Sequence, residues 1–309
     1  MVQQIYQKTL LKSVSFEGVG LHSGKNSKIT ILPGNSNQGI VFKRIDLKQN
    51  NLIEAKYNQV TSAKLCTTLE NDSGVKVSTV EHLLAALYIA EIDNAIIEID
   101  NEEVPIMDGS AKDFLKILGT VEAKILPEKR KYLKILDKIE LIDGERNISI
   151  EPSETSLEVD FQLNYKNEII GNQKNVINFQ EDKLDDVYNA RTFCLYEDIE
   201  KIKKAGLAKG GSLDNAVVVK QDKILNEDGL RNNKEFVNHK ILDLAGDCLL
   251  SGYRILGKIK CYQGGHKLTN MFLHKLFDSK ESFTIFELEN LIISKKVKSH
   301  ASMKLAVNA

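Results

Sequence analysis

Between Leu225 and Cys248 the apolar positions repeat at three- and four-residue steps, with Phe236, Val237, Ile241, Leu244, Ala245 and Cys248 in register. That spacing predicts a helix over 234–250 with one face against a core. His239, Asp243 and Asp247 cut across the pattern at steps of four. Each such step advances about 40°, so the three polar groups share one stripe roughly 80° wide.

The same two periods divide the rest of the chain. KITIL and GIVFKRI read as strands, broken by the Gly-rich runs GVGLHSGK at 18–25 and LPGNSNQG at 32–39. A strand pair is expected around Ile53–Val60 and Lys64–Glu70. VKVSTVEHLLAALYIAEIDNAIIEID then gives a strand, a helix and another strand, and Ser78 with Glu81 three residues on fits a capping box. NEEVPIMDGSAKDFLKILG gives an extended segment ending at Pro105, a turn at Met107–Gly109, and a helix capped by Ser110.

Pro127 followed by EKRK reads as a linker, which sets the expected domains at 1–127 and 128–309. Beyond it KYLKILD, RNISIEP, SLEVDFQLNY and NVINF are strand-like, and ILGKIKCYQ is a strand between helices at 234–250 and 266–278. Tyr196–Lys204 is a short amphipathic helix closed by Gly206, followed by the Gly210–Gly211 turn and an apolar strand at Ala216–Val219. Both halves run strands first and helices later. That order suggests a duplicated domain, although no residue-level repeat is visible.

Composition narrows the setting. At 309 residues with a 42% hydrophobic fraction, the chain is long and apolar enough for two packed domains. A net charge of −1 gives no general attraction to nucleic acid or anionic lipid. Neither a basic segment leading into an apolar run nor about 18 consecutive apolar residues occurs, so a soluble, cytoplasmic protein is expected. Cys66, Cys194, Cys248 and Cys261 form no CxxC pair and are expected as free thiols.

The candidate chemistry starts from the stripe. His239 and Asp243 at i, i+4 have the separation of two ligands of one Zn²⁺ ion, or they are a surface ion pair. His82, at the start of an apolar helix, is a buried neutral histidine or a further ligand. Three protein ligands, His82, His239 and Asp243, would leave a fourth position for water, the pattern of a catalytic zinc. Glu81 is then a candidate general base as well as a capping residue. His266, set by two glycines at a helix start, would be the general acid, with Asp247 favouring its charged form. Together these groups describe a metal-assisted hydrolase with one ion per chain. His22, in the Gly-rich turn, is either a substrate contact or a plain turn residue. The apolar side chains between Leu195 and Leu213 are either core or the lining of a ligand channel.

STVEHLLAAL at 78–87, IDNAIIEID with VPIMDGSA at 92–111, ARTFC at 190–194, GGSLDNAVV at 210–218, LNEDGLRNNKEFVNHKILDLAGD at 225–247 and GGH at 264–266 resemble the UDP-3-O-acyl-N-acetylglucosamine deacetylases, in that family's order. The resemblance implies an α+β fold of two similar domains, each a β-sheet layer packed on helices, with the active site between them. It implies zinc on His82, His239 and Asp243, Glu81 as base, and His266 with Asp247 as acid. It adds Thr192 as donor to the developing oxyanion and Lys240 as a contact to the anionic nucleotide sugar. It tilts His22 toward a substrate contact. It also tilts the insertion at about 194–219 toward an acyl-chain channel lined by Phe193, Leu195, Ile199, Leu213 and Val218.

The implied reaction removes acetate from an acylated UDP-amino sugar, the committed step of lipid A synthesis; a zinc amidohydrolase of the same plan with another N-acyl substrate is the alternative. The implied partner is that small molecule and not nucleic acid. A monomer is expected, with transient contact to a membrane surface through the acyl chain and no anchor.

Overall fold

The computed structural model of the chain describes residues 5–154 and 156–289. His300 and the tail KSHASMKLAVNA lie outside them. Six helices are described: α1 (Glu81–Ile89), α2 (Lys112–Leu118), α3 (Asp185–Tyr188), α4 (Tyr196–Lys204), α5 (Glu235–Leu249) and α6 (His266–Asp278). The fold is α+β.

One sheet runs Val14–Val19, Asn26–Pro33, Ala95–Ile99, Ile40–Arg44, Leu52–Glu54, and is antiparallel except where Ile40–Arg44 lies parallel to Ala95–Ile99. The crossover between those parallel strands carries α1. A second sheet runs Ile139–Asp143, Arg146–Pro152, Arg254–Tyr262, Lys131–Ile135, Phe283–Glu287. Within it Leu157–Asn164 lies parallel to Arg254–Tyr262, and the crossover between them carries α5. The two crossover helices therefore occupy equivalent places in the two sheets. They pack on each other, so closely that a Cβ on Gly246 of α5 would stand 2.0 Å from the Glu81 carbonyl oxygen of α1.

That contact sets the position of the site. α1 is buried from Glu81 to Tyr88, and α5 is buried at every position but Lys240. The stripe of His239, Asp243 and Asp247 therefore faces α1 in the interior instead of solvent, where unpaired polar groups are costly.

Some local expectations change. The capping box at Ser78 and Glu81 does not form: Val80 is the cap residue of α1 and makes no side-chain cap bond. Ser78 ends a strand (Lys76–Ser78) and Thr79, at φ 57°, turns the chain, so the Ser78 hydroxyl donates to the Glu102 carbonyl at 3.3 Å. Glu81 is thereby left free of the cap. The cap residue of α2 is Ala111, not Ser110, although the Ser110 hydroxyl accepts the Lys112 N–H at 3.2 Å.

Pro127 lies in a strand (Ala123–Lys129) paired with Tyr6–Leu10, not in an open linker. The register shifts opposite it, between Tyr6 and Lys8, which is where a residue lacking an N–H is tolerated. Ile53–Val60 is no continuous strand, because a 3-10 turn at Tyr57–Gln59 brings Tyr57 onto the Phe277 ring, with centroids 4.5 Å apart.

Candidate active site

His82 from α1 and His239 and Asp243 from α5 bring one ligand atom each to within 4.8 Å of one another, all buried. Asp243 Oδ1 stands 3.4 Å from Nε2 of both histidines. His239 Nδ1 faces the Ala190 carbonyl at 3.0 Å; donating there leaves Nε2 with its lone pair toward Asp243. Burial drives His239 down to about 3, so its imidazole is neutral, as a ligand must be. Burial alone would raise Asp243, but His239 and Lys240 outweigh it and hold its carboxyl well below the usual range. Among the described residues, Asp243 Oδ1 and His82 Nδ1 are buried without a hydrogen-bond partner. A buried carboxylate oxygen with no donor, set between two imidazole nitrogens, is what a cation would satisfy. Two nitrogens and one carboxylate oxygen suit a divalent metal of the zinc class.

Glu81 and His266 flank this group. Glu81 Oε2 accepts the Thr67 N–H at 3.0 Å, and Oε1 lies 3.7 Å from His266 Nε2. Burial first, and the carboxylates of Asp243 and Asp247 after it, raise the Glu81 pKa. His266 Nδ1 meets Asp247 Oδ2 at 2.9 Å. Burial would lower His266, but Asp247, Glu81 and Asp243 carry it up to about 10, so it is protonated at neutral pH. Beside the three candidate ligands thus stand a buried carboxyl group raised by its surroundings and an imidazole held in its charged form.

The Lys240 ammonium donates to Asp243 Oδ2 at 2.8 Å and lies 5.5 Å from the Phe193 ring centroid. His22 is buried, gives its N–H to Glu103 at 2.8 Å, and has no partner for Nε2 among the described residues. Burial lowers its pKa. Thr192 is fixed by its backbone, its N–H on the Gly109 carbonyl and its carbonyl under the Val217 N–H, both at 2.8 Å.

Thr192 and His22 both open onto a mostly apolar cavity of about 390 Å³ beneath α4. Phe193, Ile199, Leu213 and Val218 are among the residues that line it. Leu195 does not: it follows Phe193 and Cys194 in a short parallel strand on Val217–Lys220 and packs on the main core instead. Leu21, Leu65 and Tyr196, not singled out from sequence, complete much of the wall.

Sequence reasoning also missed Glu235. It extends the stripe by another step of four, fully buried, and its carboxylate takes Arg191 Nε at 2.8 Å and the Arg231 N–H at 2.7 Å. The pair ties the segment holding Ala190 and Thr192 to the first turn of α5. The spacing of four would have found it.

Proteins named UDP-3-O-acyl-N-acetylglucosamine deacetylase from Shewanella frigidimarina strain NCIMB 400 and Shewanella baltica strain OS155 are each 41% identical to the chain over 288 residues, covering 92% of it and 94% of their own length. The family profile described as UDP-3-O-acyl N-acetylglycosamine deacetylase matches residues 7–278, and the chain belongs to that family.

Proposed function

We propose that the chain hydrolyses the N-acetyl amide of UDP-3-O-acyl-N-acetylglucosamine, giving UDP-3-O-acyl-glucosamine and acetate, the committed step of lipid A biosynthesis, with one zinc ion held by His82, His239 and Asp243. The observation that carries the reading is the partnerless Asp243 Oδ1 between two imidazoles, flanked by Glu81 and His266. Zinc, when bound, supplies a Lewis acid that polarises the amide carbonyl and makes water more acidic.

The side chains supply the rest. Glu81, raised by burial, takes the proton from the attacking water. The Thr192 hydroxyl donates to the carbonyl oxygen as it gains charge. His266, held protonated by Asp247, passes its proton to the leaving nitrogen, which departs poorly otherwise. Lys240 and His22 contact the sugar nucleotide. The cavity under α4 takes the acyl chain, with Phe193, Ile199, Leu213 and Val218 in its wall.

The domain boundary belongs to the same reading, with 1–127 bringing Glu81 and His82 and 128–309 bringing His239, Asp243 and His266. Its support is that one sheet draws only on residues 14–99 and the other only on 131–287. A monomeric, cytoplasmic enzyme is proposed, with the acyl chain as its transient contact to a membrane surface. Its four cysteines are free, which fits a reducing compartment, and among the described residues no helix is long and apolar enough to cross a membrane. Turnover of the acylated UDP-sugar against its non-acylated analogue tests the substrate: a strong preference for the acylated form is expected, and equal rates would remove the channel.

A further inference from the structure

We infer that Thr67 is a positioning residue that locks the general base and the general acid into one arrangement across the two halves of the site. The inference rests on the roles proposed above for Glu81 and His266. Thr67 sits in the loop between the strands Val60–Ser62 and Thr68–Glu70, where no apolar period marks it, yet it is only 2% exposed.

All three of its polar groups are committed. Its N–H donates to Glu81 Oε2 at 3.0 Å, and its hydroxyl donates to Asp247 Oδ1 at 2.6 Å. Its carbonyl accepts the Val80 N–H at 3.4 Å, just ahead of α1. The two carboxylates it holds are the ones that matter to proton movement. With Oε2 anchored, Glu81 presents Oε1 toward His266 Nε2; with Oδ1 anchored, Asp247 presents Oδ2 to His266 Nδ1 at 2.9 Å.

A short hydroxyl-to-carboxylate bond is among the stronger neutral-to-charged hydrogen bonds. Asp247 is 3% exposed, so removing the hydroxyl leaves a buried carboxylate oxygen without its donor. The carboxylate then turns to find another partner, and the His266 ring turns with it. Proton delivery suffers from misplacement alone, because catalytic groups tolerate little error in position. Substrate binding and the metal-ligating atoms are untouched, since Thr67 bonds to none of His82, His239 or Asp243 among the described residues.

The test compares wild type, Thr67→Val, Thr67→Ser, His266→Ala and the Thr67→Val/His266→Ala double variant, each by kcat, KM, bound metal and thermal unfolding. Thr67→Val is isosteric and keeps the backbone N–H on Glu81. It is expected to lower kcat about tenfold or more, with KM within about twofold and metal content unchanged, and Thr67→Ser is expected to restore most of kcat. In the His266→Ala background the same change is expected to cost little, because the hydroxyl acts through Asp247 on His266.

Wild-type kcat in Thr67→Val, or an undiminished loss on top of His266→Ala, would overturn the inference. A His266→Ala enzyme with wild-type kcat would instead overturn the acid assignment beneath it. Should Thr67→Val fail to fold, Thr67→Ala, which has no γ-branch to misplace, is read by the same kcat and KM criteria.

Discussion

The polar cluster between α1 and α5 and the apolar cavity beneath α4 adjoin, with His22 in the cavity wall and close enough to His266 to feel its charge. They are built on opposite principles. In the cluster several atoms rest on a single partner: His239 Nδ1 has the Ala190 carbonyl, Asp247 Oδ1 has the Thr67 hydroxyl, and Asp247 Oδ2 has His266. Removing any one leaves a buried polar group unsatisfied. In the cavity the wall is shared among many side chains, with Leu213 and Tyr196 half in solvent. Removing one leaves the rest in contact. The cluster is therefore brittle, and the cavity is tolerant.

Substitutions can sharpen or break that contrast. His239→Ala is expected to have the largest effect, losing both bound metal and activity, by at least about 10³-fold, since metal assistance supplies several kcal/mol. Metal content measured beside rate checks it, and a metal-loaded, active variant would break the contrast at once. Glu81→Gln is expected to keep the metal while losing about 10²–10⁴ in rate. Full activity in that variant would remove Glu81 as the base.

His266→Ala is expected to cost about 10² and to change the shape of the pH–rate profile. In the wild type His266 is held up to about 10 against burial by Asp247, Glu81 and Asp243, so its charged form is present at neutral pH and activity is expected to fall as pH rises through that value. Without the side chain this basic limb should vanish, and an unchanged limb would reassign the acid. Ile199→Val, in the cavity wall, should have the smallest effect, a few-fold rise in KM for long-chain substrate and almost none for a short-chain one, because it removes one methylene, which contributes about 0.8 kcal/mol when buried. A loss comparable with that of Glu81→Gln would show that the cavity is not tolerant after all.

The same contrast explains what the sequence disclosed. The stripe on α5 was legible because a helix turns at a fixed rate, so spacing alone places His239, Asp243 and Asp247 together, and α6 begins at His266 as its glycines suggested. Glu235 obeyed the same rule and was overlooked because a glutamate in a first helical turn has an ordinary reading as a dipole partner. Thr67 carried no periodic signal, since its role comes from a loop brought across to α5 by the fold.

Leu195 packs on the main core although it shares the strand Phe193–Leu195 with Phe193, which lines the cavity, and alternation along so short a strand would put the two on one face. The capping motif at Ser78 failed for a local reason, the left-handed turn at Thr79, which sequence spacing does not register. Pro127 shows the reverse case: a residue that usually ends a strand sits inside one, because the opposing register shifts to accommodate it.

The most direct test of the central claim is deacetylation of UDP-3-O-acyl-N-acetylglucosamine by the purified chain as isolated, after chelation, and after zinc is restored. Activity that is lost on chelation and returns with zinc is the expected result, and it would establish reaction, substrate and metal in one series. Undiminished turnover in the chelated, metal-free protein would contradict the account, since His82, His239 and Asp243 would then be holding nothing the reaction needs.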